Sequence, residues 1–361
     1  MTPILVDLRR IAASHSLFAP TTLRDAIERL GFVQADPIRA PARAQDLILR
    51  HRVENYRAGD LEQHYAELDL EEDLFYVYGF LPAKTWRLLH PRSFGDGLSD
   101  LEQRIVEAFE AEGSLDSRTL EERFAAGRGM NPWGSYSRAT QLALDHLHHR
   151  GLLRVAGRDR GNRIYALMTA SNDALPASLR LRELVLIAAN LLAPLPRQSL
   201  NEVAGRIRRS MRTTEVTAAA TIAALLRDGL LEEHVVEGLR YILLPGMQPG
   251  DASTAVRFLA PFDPVVWDRR RFEQLWGWAY RFEGYTPVAK RLRGYYAMPL
   301  LWRDEVIGWA NVSAAKNRLD VDLGFVDSRP NDPAFERELD AEVERLRIFL
   351  QPNNENAAAD T

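Results

Sequence analysis

The sequence predicts an α+β protein: one helix–helix–helix–hairpin unit used three times, then a small antiparallel β-barrel-like domain. Three observations predict it. Residues 137–167, "SRATQLALDHLHHRGLLRVAGRDRGNRIYAL", and 213–244, "TTEVTAAATIAALLRDGLLEEHVVEGLRYILL", read alike. Each has an N-cap Ser or Thr, a helix with apolar residues at helical spacing, a stop at Gly151 or Gly229, Leu-Leu, and two strands around a turn. Each is preceded by two further helical stretches. After them the chain changes character, with alternating strands at 295–301, 305–312 and 319–326.

The elements follow in order. Residues 4–14 and 21–30 have helical spacing, with Thr21 or Thr22 capping the second. Gly31 stops that helix and Phe32-Val33 starts a strand. Residues 43–51 form a helix with Leu47 and Ile48 inward. Residues 65–89 hold further helical pieces rich in aromatics (Phe75, Tyr76, Tyr78, Phe80, Trp86). Residues 1–97 thus read as an altered copy of the unit. Residues 98–112 and 117–126 are the helices before the first clear repeat. Residues 178–192 and 199–209 precede the second, with Ser199 as N-cap and Glu202 at the capping-box position. Helix, helix, helix, hairpin is the winged-helix pattern, in which the third helix enters a groove and the hairpin is the wing. The expected domains are 1–97, 98–175, 176–250 and 251–350. In the last, "LLWRDEVIGWA" is a hairpin around Arg303-Asp304 and a helix runs from Pro333 to Leu350. Residues 351–361 are expected to be a disordered tail.

Composition narrows the function. The 361 residues are 46% hydrophobic and 27% charged, as in a globular protein, and no apolar run is long enough for a membrane span. Asp7, Arg9 and Arg10 follow only three apolar residues, so no signal peptide is read and a cytosolic, nucleoid location is expected. With no cysteine, disulfides, thiol nucleophiles and thiolate metal sites are excluded. His146 and His149 share a helix face but lack further ligands nearby, so no metal and no cofactor are expected. The net charge of -4 argues mildly against nucleic acid. Yet residues 197–212 carry Arg197, Arg206, Arg208, Arg209 and Arg212 against Glu202 only. Residues 268–293 are basic too, and "GWAYRFEGYTPVAKRLRGYY" interleaves aromatics with Lys290, Arg291 and Arg293, either for stacking and phosphate contact or as a barrel core.

The candidate site is "GFVQADPIRAPARAQDLILRHR", residues 31–52. Gln34 and Asp36 are two apart at a strand end, which would place both side chains on one side. Asp-Pro is also a turn initiator, and a turn alone would account for the pair. Arg39, Arg43, Arg50 and Arg52 follow, with Arg43 near a helix N-terminus. They can hold phosphates or form a solvated helix face. A carboxylate beside phosphate-binding groups suits cleavage of a nucleobase glycosidic bond, where it stabilises an oxocarbenium-like sugar or orients water. His51 is either a DNA contact or a packed histidine. The wing "RVAGRDRGNRIY", with Arg154, Arg158, Arg160 and Arg163, is either a DNA contact or a solvated hairpin.

"GFVQADPIRAPARAQDLILRHRV", "LAPFDPVVWDRRRFEQLWGWAYRFEGYTP" and "KRLRGYYAMPLLWRDEVIGWA" resemble the winged-helix DNA glycosylases of the AlkZ and YcaQ type, over nearly the whole chain. The resemblance implies tandem winged helices around a concave basic channel, a small β-barrel, and double-stranded DNA with alkylated or crosslinked bases as partner. It implies Gln34 and Asp36 as the catalytic pair, in the Gln-x-Asp form of the YcaQ branch. It further implies monofunctional release of N7-alkylated purines, including interstrand crosslinks. Such purines are already cationic and leave without a general acid. No lysine lies in the motif to form a Schiff base. Crosslinked bases cannot be fully flipped, so an open channel suits them. A departure stands at "NVSAAKNRLDV", where Asn311 replaces an expected acid and Ser313 and Ala315 an expected Lys and Asp. A monomer is the expected state. The competing function is a DNA-binding transcriptional regulator that cleaves nothing.

Overall fold

Three short sheets share one strand order, first–third–second, and this sets the architecture. The computed structural model describes residues 3–351 except 96, 131–133, 135, 160–161, 169–174 and 316–317. The first unit runs α1 (Leu5–Ser16), α2 (Leu23–Leu30), β1 (Val33–Gln34), α3 (Ala44–Leu49), α4 (Asp60–Gln63), β2 (Leu70–Leu74), β3 (Tyr78–Pro82) and α5 (Ala83–Leu89). The second has α6 (Asp100–Glu112), β4 (Ser114–Asp116), α7 (Ser117–Phe124), the small hairpin β5 (Arg128–Met130) and β6 (Tyr136–Arg138), α8 (Ala139–His149), β7 (Leu153–Asp159) and β8 (Asn162–Leu167). The third has α9 (Ala177–Leu191), β9 (Leu195–Pro196), α10 (Arg197–Ser210), α11 (Ala218–Arg227), β10 (Glu232–Val236) and β11 (Leu239–Leu243). The sheets are β1-β3-β2, β4-β8-β7 and β9-β11-β10. In each, a short strand between two helices pairs antiparallel with the last strand of the hairpin.

Local chemistry explains the repeat. Gly151 and Gly229 sit at φ 77° and 68° just past α8 and α11. The next N–H groups reach back, Leu152 to the Leu147 carbonyl (3.0 Å) and Leu230 to the Leu225 carbonyl (2.9 Å), a left-handed stop that closes each helix. The third hairpin turns through Glu237 and Gly238, both at positive φ, as a two-residue antiparallel turn requires.

Several expectations need correction. Residues 65–89 are not mainly helical: β2 and β3 occupy 70–74 and 78–82. Glu71, Glu72 and Asp73 look like a solvated run but are buried, each with a basic partner. Thr213 does not cap the third helix; Thr217 does, accepting from the Ala220 N–H at 3.2 Å. Ser199 is not an N-cap either. It lies inside α10, whose N-cap is Pro196, and is buried. The first unit's α1 packs on the C-terminal domain rather than on its own sheet.

That domain comprises β12 (Ser253–Phe258), α12 (Pro264–Trp267), α13 (Arg269–Trp276), β13 (Met298–Arg303), β14 (Glu305–Ala315), β15 (Arg318–Phe325) and α14 (Pro333–Phe349). Its antiparallel sheet has the order β12-β13-β14-β15, with register shifts near Ser253/Val256 and Leu300/Leu301 that add twist and curl it. The strand β12 is an addition to the three that alternation predicted. The helix α14 covers this edge strand, with Glu342 accepting from the Phe258 N–H at 2.8 Å. Residues 352–361, most of the expected tail, lie outside the described residues.

Candidate active site and nucleic-acid interface

Gln34 ends β1, opposite Gly79 of β3. A Cβ at position 79 would lie 2.3 Å from the Val33 carbonyl oxygen, so the two strands meet this closely only with glycine there. One more ladder bond, from the Ala35 N–H to the Tyr78 carbonyl (3.1 Å), carries the strand toward Asp36. Asp36 Oδ1 then accepts from the Ile38 N–H at 2.9 Å. This is the side-chain turn expected of Asp-Pro, and it orients the carboxylate. No described residue donates to the second oxygen. Burial raises the Asp36 carboxyl above its ordinary value, with the Ile38 N–H opposing. Gln34 Oε1 is buried without a partner among the described residues, leaving an acceptor for something outside the chain.

The C-terminal domain supplies the facing wall. Burial, then the Asp36 charge, raises the phenols of Tyr285 and Tyr296, so both lie within electrostatic reach of that carboxylate. The Tyr296 hydroxyl is buried and also lacks a described partner. Phe282 joins the set, with ring centroids 5.0 Å from Phe262, 5.9 Å from Tyr285 and 5.5 Å from Tyr296. The candidate site is therefore composite, with a strand end from one domain and aromatics from another about 250 residues later in the chain. Sequence reasoning missed Tyr285 and Tyr296, although the mixed aromatic and basic stretch that holds them was the available signal.

The arginines divide sharply. Arg39 is exposed. Arg43 is half-buried and paired with Glu62. Arg50, His51 and Arg52 are interior and are withdrawn as DNA contacts. Arg50 pairs with Glu342 and donates to the Phe258 carbonyl at 3.0 Å. His51 Nε2 meets the same carbonyl at 3.0 Å. Arg52 is wholly buried on Asp263. The wing is corrected as well: Arg158 and Arg163 turn inward onto Glu72, at 2.6 and 3.3 Å, clasping the first unit. Arg160 lies outside the described residues.

On α10, Arg208 is held by the Thr213 carbonyl (3.1 Å), whereas Arg206 and Arg209 are exposed. Arg212 is exposed over the Phe94 ring. Two clefts share Arg206. One, of about 320 Å³, is bounded by Trp267 and Arg270, and the other, of about 220 Å³, by Tyr76, His149 and Arg209. Neither is lined by Asp36. In the C-terminal domain Lys290 is exposed, Arg291 donates to the Thr286 carbonyl (2.8 Å), and Arg293 is half-buried over Trp278 and Trp309. His146 meets Glu102, and no group of three acidic or histidine side chains among the described residues is arranged to hold a metal. No helix among them is long and apolar enough to cross a membrane.

Winged-helix units carrying exposed arginines, with a carboxylate and an amide at one strand end, define a DNA-binding scaffold that also holds the elements of a hydrolytic site. A family model for the AlkZ-like DNA glycosylases matches residues 27–349. The fold is also similar to that of the Streptomyces sahachiroi DNA glycosylase AlkZ, with a TM-score of 0.62 at 16% identity, over 96% of this chain and 97% of that one. The chain belongs to the AlkZ-like DNA glycosylase family. Its activity is cleavage of the N-glycosidic bond in DNA during repair, and the reading as a non-cleaving regulator is set aside.

Proposed function

We propose that the chain releases N7-alkylated purines from double-stranded DNA, interstrand crosslinks included, as a monofunctional glycosylase. The observation that carries this is the set of unsatisfied groups around Asp36: one free carboxylate oxygen, the buried Gln34 Oε1 and the buried Tyr296 hydroxyl. A cationic base leaves without a proton donor, so the protein's task is to stabilise the sugar cation and aim a water. Asp36 does the first. Gln34 and Tyr296 hold the water, one accepting and one able to donate or accept. The Gln34-Ala35-Asp36 motif supports a reading in the Gln-x-Asp branch of the family. The exposed Arg39, Arg206, Arg209 and Arg212 hold the backbone of the damaged strand. The enzyme acts as a monomer in the cytosol, at the nucleoid.

The test is incubation with duplexes carrying N7-methylguanine or an N7–N7 crosslink, followed by alkali to cut abasic sites. Release by the wild type and loss in Asp36→Asn, with DNA binding retained, are the expected results. Release from neither duplex overturns the N7 reading. Strand cleavage without alkali overturns the monofunctional one.

A further inference from the structure

One loop of the C-terminal domain, whose Tyr285 lies within the reach of the Asp36 charge, breaks the usual rule for surface composition. Between Gly284 and Gly294 three large apolar side chains stand almost fully in solvent: Tyr285 at 79% exposure, Val288 at 75% and Leu292 at 82%. Exposed apolar groups are common singly, but three within eight positions on one rigid loop ask for an occupant.

The loop is rigid because its base is locked. Glu283 is buried, and its carboxylate accepts the N–H groups of Leu292 (3.0 Å), Arg293 (2.9 Å) and Gly294 (3.1 Å). Burial, the largest single influence, pushes the Glu283 carboxyl up, but these bonds and the Arg293 charge together hold it below its ordinary range. The Thr286 N–H returns to the Glu283 carbonyl (2.9 Å), and residues 288–290 make one tight helical turn. At the far end Asn311 Nδ2 donates to the Arg293 carbonyl at 2.6 Å, and a Cβ on Gly294 would lie 2.1 Å from Asn311 Oδ1. A carboxylate at 311 has no N–H to donate, so the amide found there is what fastens the loop. Lys290 projects beside the apolar tip, exposed and with no ion pair among the described residues.

We infer that residues 284–294 form a wedge that enters the base stack of duplex DNA next to the reaction centre, with Leu292 at its tip and Tyr285 stacking on the displaced base. Apolar side chains inserted between base steps unstack them at the expense of contacts made elsewhere. The charge fits this occupant: Lys290 and Arg291 flank the tip where phosphates would pass. A pre-formed loop inserts without first losing chain entropy. Unstacking in place also suits a base that a crosslink prevents from flipping out. The inference rests on the glycosylase reading and adds to it the device that opens the duplex.

The test uses the full-length chain carrying Asp36→Asn, which isolates binding from cleavage. It is titrated with a duplex holding a fluorescent adenine analogue one step from N7-methylguanine. The expected result is a several-fold rise in fluorescence at saturation, at least halved when Leu292→Ala is added and abolished by Val288→Ala with Leu292→Ala. Both side chains are exposed, so the fold survives. A full rise with Leu292→Ala, or no rise without it, overturns the wedge. In the otherwise wild-type chain, Leu292→Ala should lower the ratio of duplex to single-strand base release about tenfold. An unchanged ratio would mean that the patch serves another partner, such as a protein. Because the fluorescence needs no cleavage, a wild type that releases no base sinks the glycosylase reading and leaves the wedge to be decided by the titration.

Discussion

Arg52 and Asp263 form a two-pronged ion pair inside the protein, Nη1 to Oδ2 at 2.8 Å and Nη2 to Oδ1 at 2.9 Å, with both side chains 0% exposed. The remaining guanidinium N–H groups go to the Ser16 carbonyl, the Ser16 hydroxyl and the Ile48 carbonyl. All five donors are used, so none is left for phosphate. The pair joins the first unit to the domain that carries Tyr285 and Tyr296. Removing one partner leaves a buried charge alone, so Arg52→Ala should cost about 3–5 kcal/mol in denaturant unfolding. Arg52→Met with Asp263→Leu should recover most of it. A cost below about 1 kcal/mol for the single change would contradict this role.

The misreading of Arg50, His51 and Arg52 has a physical reason. Burial is decided by partners that lie more than 200 residues later, Phe258, Asp263 and Glu342, and no local pattern reports them. Glu71 and Glu72 are likewise buried by Arg154 and Arg158 of the second unit, while Asp73 pairs with the nearer Arg92. Chemistry within a few residues was legible: the glycine stops after α8 and α11, the two-residue turns, and the Gln34–Asp36 pair at a strand end. The composite site was not, because its second half depends on how the C-terminal domain docks.

The buried and the exposed arginines should separate in solution. Arg206→Ala and Arg209→Ala remove exposed cations on α10. Each should weaken binding to any duplex and reduce the slope of log affinity against log salt by about 1. Arg158→Ala instead strips a partner from the fully buried Glu72. It should lower thermal stability and leave the salt slope in place. The opposite pattern would restore the wing as the DNA contact.

Glu71 gives the interface between the first two units a pH signature. Burial pushes its carboxyl up to about 7, against the opposing charge of Arg154, whose Nε lies 2.7 Å away. The native state then holds a proton that the unfolded chain, titrating near 4.5, has already lost. This contribution to stability is fully present below pH 4.5 and is lost as pH rises through about 7. Glu71→Gln keeps the shape and cannot ionise. Its stability relative to wild type should therefore improve by about 2 kcal/mol between those limits. Chemical denaturation at both ends checks this, and a difference independent of pH would refute it.

In the proposed reaction Asp36 has to be ionised to stabilise the sugar cation, and its carboxyl is raised by burial. Single-turnover base release should therefore fall as pH drops, with a midpoint above that of an ordinary aspartate. Asp36→Asn should reduce release roughly 100- to 1,000-fold and erase this acid limb, while duplex affinity changes little. Gln34→Ala should slow release less and retain the limb. A limb that survives in Asp36→Asn would assign it to another group.

Tyr296 offers the sharpest separation of structure from chemistry. Its hydroxyl is buried, is raised by the Asp36 charge after burial, and has no described partner. An unsatisfied buried hydroxyl carries a desolvation penalty of about 1–3 kcal/mol, so in the free protein Tyr296→Phe should be neutral or stabilising. If the hydroxyl holds the attacking water, the same change removes one hydrogen bond from the transition state. Single-turnover release should then slow roughly tenfold, about 1.4 kcal/mol, with duplex affinity unchanged. A purely structural tyrosine would shift melting temperature and leave the rate alone. Measuring both on one preparation separates the two roles, and a wild-type rate in Tyr296→Phe would remove this residue from the reaction centre.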